Sequence, residues 1–277
     1  MPAPAYFVFS AIFHYLGPSF AVLLFARVDV LGVAWLRIVT AALVFAAWRR
    51  PWHLLRDRTV LAWGLVLALM NACFYTSIDR LPLGTVAAVE FVPVVVLAAL
   101  GARSPRAALA VVLAVAGVAL LANVRLVDQP LGFVFATANA LLFALYIVLA
   151  DRVSGEGGLD ALAAAMLVAA VAIMPAVPVH AFGDPIALLA GAGVGLSSSV
   201  IPYVADQLAL RGLDRATYAL MVALLPATAA VIGVIVLSQV PEPREVAGVA
   251  LVVAGVAIRG ASRPARRPAA RAARSPG

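Results

Sequence analysis

Two stretches of the sequence, RAALAVVLAVAGVALL at Arg106–Leu121 and REVAGVALVVAGVAIR at Arg244–Arg259, carry the same pattern. At a constant offset of 138 residues they agree at eight of sixteen positions, and the agreement includes the run VAGVA. Self-similarity at a fixed spacing indicates an internal repeat. The sequence therefore predicts a chain that is built from two related halves.

The apolar runs that precede these two stretches extend the repeat. Pro93 and Pro226 each stand in the middle of such a run, after a short turn that contains arginine, and their offset is 133 (226 − 93). This predicts five helices per half, at residues 1–125 and 126–260. Because five is odd, tandem halves must lie in opposite orientations in a membrane. Inverted repeats of this kind are common in secondary transporters, which bind the substrate where the halves meet.

The composition is that of an integral membrane protein. Of 277 residues, 65% are hydrophobic and only 12% are charged, and the mean hydropathy is +1.06. Soluble domains are about 45–50% apolar and about 25% charged. The net charge of +7 comes from twenty arginines and no lysine, in short clusters between apolar runs. That distribution indicates loop anchors at a membrane surface rather than a nucleic-acid interface.

Ten membrane helices are expected, because a span needs about 20 mainly apolar residues. The runs are Pro4–Phe25, Leu31–Trp48, Val60–Ile78, Leu83–Leu100, Ala107–Asn123, Leu131–Ala150, Leu159–Val179, Pro185–Leu210, Ala216–Leu237 and Val246–Ile258. With a cytoplasmic N-terminus, fifteen arginines lie on the cytoplasmic side and five on the other. This asymmetry predicts a bacterial inner-membrane protein with both termini in the cytoplasm. The tail at 261–277 is expected to be disordered and to anchor the topology at anionic lipid.

Four ionisable residues fall inside the predicted helices, where a charge is costly and indicates function by default. Glu90 lies three residues before Pro93, which predicts a site for a proton or an amine. Asp206 follows a serine-rich stretch and is a second candidate for proton coupling. Arg37 could hold a carboxylate with two parallel hydrogen bonds. His14 precedes Gly17-Pro18-Ser19, a trio that predicts an interruption of the first helix.

Each of these residues has a structural alternative. Glu90 and His14 could simply hydrogen-bond within the helix bundle, Asp206 could be an interfacial acid near Arg211, and Arg37 could extend to the outer membrane surface. Three further polar side chains could line a cavity, namely Asn71, Tyr75 and Tyr146. The prolines expected to break helices are Pro18, Pro93, Pro202 and Pro226.

Several kinds of chemistry are not indicated. The sequence has no phosphate-binding GxxxxGK[ST] loop, no HExxH and no cysteine cluster, since Cys73 is its one cysteine. Ser197, Ser198 and Ser199 lack an obvious base that would make one of them a nucleophile. We therefore expect neither an enzyme nor a bound cofactor or metal.

Four stretches together resemble the EamA family of the drug/metabolite transporter superfamily and, within it, the threonine/homoserine exporters. They read VAWLRIVTAALVFA, NACFYTSIDRLPLGTVAAVEFVP, LLFALYIVLADR and SSSVIPYVADQLALRGLDRATYALMVALLPATAAVIG. The resemblance implies a ten-helix exporter driven by proton exchange. It also implies a cavity formed by Arg37, Asn71, Tyr75, Glu90, Tyr203 and Asp206. Many members carry a Gly-Glu pair after the ninth helix, where this chain reads Leu237-Ser238-Gln239.

These observations predict an exporter of a small zwitterionic metabolite such as an amino acid. Arg37 would attract its carboxylate, and Glu90 would bind either a proton or the ammonium group. Two alternatives remain open: an exporter of a drug, nucleoside or sugar derivative, and a membrane scaffold or sensor that does not transport. The expected partners are the solute, protons and the lipid bilayer, in a monomer or a homodimer.

Overall fold

The computed structural model describes residues 2–100, 104–125, 129–153, 158–178, 183–212, 222 and 224–260, and this part of the chain contains helices and no strand. The helices are α1 (Ala3–Leu24), α2 (Val30–Arg49), α3 (Arg58–Ile78), α4 (Leu83–Leu100), α5 (Pro105–Arg125), α6 (Pro130–Val153), α7 (Gly158–Ile173), α8 (Pro185–Gly195), α9 (Ile201–Gly212), α10 (Leu225–Leu237) and α11 (Pro243–Gly260). A π-helical turn, Leu196–Val200, joins α8 to α9. The predicted tail at 261–277 lies outside the described residues.

In the part of the chain that the structure describes, six helical segments are long and apolar enough to cross a membrane. They are Ala3–Leu24, Val30–Arg49, Arg58–Ile78, Pro130–Val153, Gly158–Ala176 and Pro185–Asp206. Three shorter apolar helical segments occur at Leu83–Pro93, Pro105–Leu121 and Leu225–Leu237. The protein is therefore an all-helical, multi-pass membrane protein.

Side chains fix several of the helix starts. The Asp57 carboxylate accepts hydrogen bonds from the backbone N–H groups of Thr59 (2.7 Å) and Val60 (3.2 Å) at the start of α3. Asp184 caps α8 in the same way. These bonds satisfy N–H groups that have no partner within the helix.

The Gln239 side chain has a related role at α4. Its Oε1 accepts from the Leu83 N–H at 3.1 Å. A side chain from the segment after α10 thus caps another helix.

The two VAGVA helices, α5 and α11, pack on each other over a long interface. A Cβ atom added to Gly117 would lie 2.6 Å from the Gly248 carbonyl oxygen, and one added to Gly255 would lie 2.6 Å from the Ala110 carbonyl oxygen. At the offset of 138, Gly255 is equivalent to Gly117 and Gly248 to Ala110. The two close contacts therefore join equivalent positions crosswise, as a twofold axis requires.

Other helix contacts also occur in such pairs. To see this, each helix of the first set is matched in chain order with one of the second set: α1 with α6, α2 with α7, α3 with α8–α9, α4 with α10 and α5 with α11. Helix α3 packs on α6 while α9 packs on α1, and α4 packs on α6 while α10 packs on α1. The pairs α2 with α7 and α4 with α10 join equivalent helices directly.

The prolines break the helices less than predicted. Pro18 and Pro93 lie inside α1 and α4, which continue through them, so the predicted interruption of the first helix is wrong. Proline removes one backbone donor, at Pro18 the one that would bond the His14 carbonyl, and a membrane helix can tolerate this loss where neighbouring groups satisfy the freed carbonyl. Pro226 occupies the first turn of α10 rather than a helix centre. Only Pro202, directly after the π-helical turn, accompanies a change of helix type.

Candidate substrate site

A cavity of about 100 Å³ lies between both halves of the chain. It is lined by α1, α2, α3, α4, α6, α7 and α9 and by the π-helical turn. Its polar lining consists of His14, Tyr15, Arg37, Asn71, Glu90, Asn139, Tyr146, Ser199 and Tyr203. The lining therefore combines one permanent cation and one carboxyl group with several neutral donors and acceptors.

The Arg37 guanidinium is held by a network of three acceptors. Its Nε donates to Ser199 Oγ at 3.0 Å, one Nη donates to Asn71 Oδ1 at 2.9 Å, and the other donates to the Ser198 carbonyl at 3.4 Å. Asn71 is oriented in turn by a bond from its Nδ2 to the Leu67 carbonyl at 2.9 Å. Arginine has five N–H donors, so one N–H remains on each terminal nitrogen for a ligand.

Pro202 explains why the Ser198 carbonyl can accept this bond. In an α-helix the carbonyl of residue 198 would bond the N–H of residue 202, and proline has none. The Ser198 hydroxyl donates to the Val194 carbonyl within its own helix, while Ser199 Oγ is left to face Arg37. The π-helical turn and the proline together create the acceptors that position the cation, and π turns occur frequently at functional sites.

Glu90 faces the same cavity from α4. Its Oε1 accepts from Asn139 Nδ2 at 3.1 Å, and Asn139 is completely buried. The other amide atom, Asn139 Oδ1, is buried without a hydrogen-bond partner. Arg37 and Glu90, both among the described residues, form no ion pair with each other. Both groups line the cavity, so a ligand of opposite charge could approach either one there.

Two tyrosines close one end of the cavity. The hydroxyl groups of Tyr146 and Tyr203 lie 2.7 Å apart and share a hydrogen bond. Phe45 packs edge-on against Tyr203, and Trp63 packs against Tyr146. The aromatic contacts hold both rings in place between α6 and α9.

The structure brings together most of the residues expected from the sequence. Six of them line the cavity: His14, Arg37, Asn71, Glu90, Tyr146 and Tyr203. Tyr75 is fully buried and lies outside the lining, with the Arg37 guanidinium 5.7 Å from the centre of its ring. The Tyr75 ring therefore packs near the Arg37 guanidinium without lining the cavity.

Asp206 is not part of the cavity lining. It lies on the side of α9 that packs against α1, next to Ser10, whose hydroxyl donates to the Pro202 carbonyl at 3.2 Å. The structure therefore places Asp206 outside the cavity lining, on a face of α9 that another helix covers, and its contact with the substrate stays a prediction.

Sequence reasoning missed Asn139. A single amide in the run TANALLF resembles any structural hydrogen-bonding residue, and no motif marks it. Only its position opposite Glu90 shows its importance. The serines of the π-helical turn were noted in the sequence, but their contact with Arg37 was not predicted.

Known proteins with similar sequences agree with this picture. Residues 130–259 match the model of the EamA-like transporter family. The chain is 33% identical over 237 residues to the threonine/homoserine exporter RhtA of Salmonella typhimurium (strain LT2), which covers 80% of this chain and 79% of that relative. It is 31% identical over 250 residues to RhtA of Escherichia coli (strain K12), which covers 86% and 84% of the two chains.

One solved crystal structure shares the fold. It superposes with a TM-score of 0.60 over 93% of this chain and 96% of that chain, at 19% identity. The relatives confirm the resemblance predicted from the sequence, and they confirm a transporter rather than an enzyme. The chain is a multi-pass inner-membrane transporter for a small molecule, and it belongs to the EamA-like transporter family.

Proposed function

We propose that the protein exports a small zwitterionic solute, an amino acid such as threonine or homoserine, in exchange for protons. The observation that carries this proposal is the pair of opposite charges that face one cavity without pairing with each other. The carboxylate of an amino acid would take the two free N–H groups of Arg37. Its ammonium group would take the carboxylate of Glu90. The names of the relatives support the same class of solute.

The size of the cavity supports a small solute over a drug-sized one. Pockets for drug-sized ligands measure about 300–1,000 Å³, whereas this cavity measures about 100 Å³. The neutral polar groups around the charges, Ser199, Asn139 and the Tyr146–Tyr203 pair, provide donors and acceptors for a side-chain hydroxyl.

Competition at Glu90 would couple export to protons. A carboxyl group that binds the solute's ammonium group as a carboxylate cannot hold a proton at the same time. The inward-facing transporter would release the proton and load the solute, and the outward-facing transporter would exchange the solute for a proton. Antiport follows if the empty, unprotonated form does not reorient.

Alternating access requires two conformations related by exchange of the halves. The crosswise contacts of Gly117 with Gly248 and of Ala110 with Gly255 support an inverted repeat of two five-helix units, 1–125 and 126–260. In an inverted repeat each half can adopt the conformation of the other, which opens the cavity to the opposite side. The arginine asymmetry supports cytoplasmic termini.

Counterflow in proteoliposomes tests the proposal. Vesicles loaded with unlabelled threonine should take up labelled threonine, and an imposed pH gradient should accelerate net movement. Glu90→Gln should lose the effect of the gradient. Asp206→Asn is the matched control, because it removes a half-buried acid outside the cavity, and it should retain that effect.

Two results would contradict the proposal. Unchanged pH dependence in Glu90→Gln would remove Glu90 from coupling. The absence of exchange with any amino acid, from folded and inserted protein, would exclude the zwitterionic substrate.

A further inference from the structure

A second cavity of about 240 Å³ lies beyond the tyrosine pair. We call it the vestibule; its lining is Phe45, Trp48, Arg49, Leu159, Tyr203, Val204 and Leu208. Tyr203 lines both this space and the central cavity. The two cavities are therefore neighbours, and the tyrosine pair lies at their boundary.

Arg49, the one charged residue of the vestibule lining, is paired with an acid that adjoins the lining without being part of it. Arg49 Nε lies 2.5 Å from Asp160 Oδ1 at the membrane face where α2 ends and α7 begins. The side chains are 34% and 22% exposed, so neither charge is fully buried. The Trp48 ring lies beside the guanidinium, 5.8 Å from Cζ to the ring centre.

The charges repeat the chemistry of the central cavity. Each lining has one arginine next to aromatic rings, and each arginine has a carboxyl group nearby: Glu90 within the central cavity, and Asp160 bonded to Arg49 beside the vestibule. In the central cavity Arg37 and Glu90 form no ion pair, whereas Arg49 and Asp160 bind each other at the edge of the vestibule. A partly exposed ion pair contributes little stability, so a zwitterion that provides both partners can replace it at small cost.

We propose that the vestibule is a second site for the same zwitterionic solute, where its carboxylate binds Arg49 and its ammonium group binds Asp160, and that the Tyr146–Tyr203 hydrogen bond closes the passage between the two sites. The inference rests on the proposed function for the class of solute. The solute would wait in the vestibule until the tyrosines separate and would then move along α2 toward Arg37.

Protection of a cysteine from labelling tests the vestibule. Leu208→Cys, in a chain that also carries Cys73→Ser, is labelled with a small hydrophilic thiol reagent, with and without L-threonine. At a threonine concentration ten times its Kd, about a tenth of the sites remain free, so labelling should slow about tenfold. Arg49→Gln should abolish the protection and Arg50→Gln should not, since Arg50 lies outside the lining.

Further variants separate the two sites. The protection should persist in Arg37→Ala, which disables the central cavity, and should be lost in Asp160→Asn, a milder change than Arg49→Gln. Protection that disappears in Arg37→Ala and survives in both Arg49→Gln and Asp160→Asn would overturn the proposal. Exchange of threonine without protection of Leu208→Cys overturns the vestibule site alone. Absence of both exchange and protection overturns the proposed function as well.

The passage is tested by a cysteine in the central cavity. Ala41 is fully buried and lines that cavity, so Ala41→Cys should react slowly with a reagent that is added from the vestibule side. Replacing Tyr146 and Tyr203 together with phenylalanine keeps both rings and removes their hydrogen bond. The double variant should label several times faster from that side, and an unchanged rate would overturn the role of the tyrosine pair.

Discussion

Arg37→Lys should weaken substrate binding strongly even though it preserves the charge. The guanidinium bonds Ser199, Asn71 and the Ser198 carbonyl through three separate nitrogens and keeps two N–H groups for a ligand. A lysine ammonium has three donors on one nitrogen. It cannot reach these acceptors and also offer two parallel N–H groups to a carboxylate.

The expected size of the effect follows from the bonds that are lost. A hydrogen bond to a charged group contributes about 1.5–3 kcal/mol. Loss of one such bond to the substrate raises its dissociation constant roughly 10- to 150-fold, at 1.4 kcal/mol per factor of ten. The rate of exchange at saturating solute should change less, because the helix contacts that govern reorientation are not altered.

Counterflow at a series of threonine concentrations measures this effect as a KM. Arg50→Lys is the matched control, since Arg50 lies thirteen residues further along and is exposed outside the cavity. Ser199→Ala should give an intermediate KM, because it removes one bond that orients the guanidinium. A KM for Arg37→Lys within about threefold of the unaltered protein, a difference below about 0.7 kcal/mol, would refute the bidentate role of Arg37.

Three further predictions concern stability and topology. Gly117→Ala should destabilise the α5–α11 contact by about 1–3 kcal/mol, which would appear as a lower melting temperature in detergent. Gly193→Ala is the control and should not lower it, because a Cβ there would meet nothing within 4 Å. Equal effects of the two variants would contradict the close contact of Gly117 as the cause. The backbone N–H of Ala187, together with the Arg27 guanidinium, holds the pKa of Asp184 below its usual range. The stability that this lowered pKa provides is present above the unfolded pKa of about 3.9 and is lost as the pH falls through the folded pKa. Asp184→Asn should therefore lose less melting temperature below about pH 4 than the unaltered protein does. An unchanged dependence of melting temperature on pH would contradict this role of Asp184. A fluorescent protein at the C-terminus should be active and alkaline phosphatase there inactive, as cytoplasmic termini require; the reverse result would invert the proposed topology.

Much of the fold could be predicted because membrane helices carry a strong local signal. The predicted apolar run Leu83–Leu100 begins and ends at the same residues as α4. Prolines and arginines in the loops mark where one apolar run ends and the next begins. Some of the ends that differ are set by local bonds. For example, α3 begins at Arg58 because Asp57 caps it, two residues before the apolar run starts.

The candidate site was predicted as a set of residues and not as an arrangement. Arg37 and Glu90 are conspicuous because a charge in a lipid-facing segment is costly. Asn139 and Ser199 are inconspicuous, since neutral polar residues occur in many membrane helices. Tyr203 and Asp206 are three residues apart on one helix, and only the position of α1 decides that one faces the cavity and the other a helix contact.

The sequence by itself determined that this chain is a helical membrane protein, that two of its stretches share a pattern at offset 138, and which charged residues interrupt its apolar runs. These properties depend on composition and spacing along the chain, which need no knowledge of the neighbours. The tertiary structure alone decided that Arg37 and Glu90 face one cavity unpaired, that Asn139 bonds Glu90, and that Asp206 packs away from both. These facts depend on which helices meet and on how each helix is rotated about its axis. Apolar helices in lipid pack through close contacts of small residues such as Gly117 and Gly248, and the sequence does not specify which small residues pair.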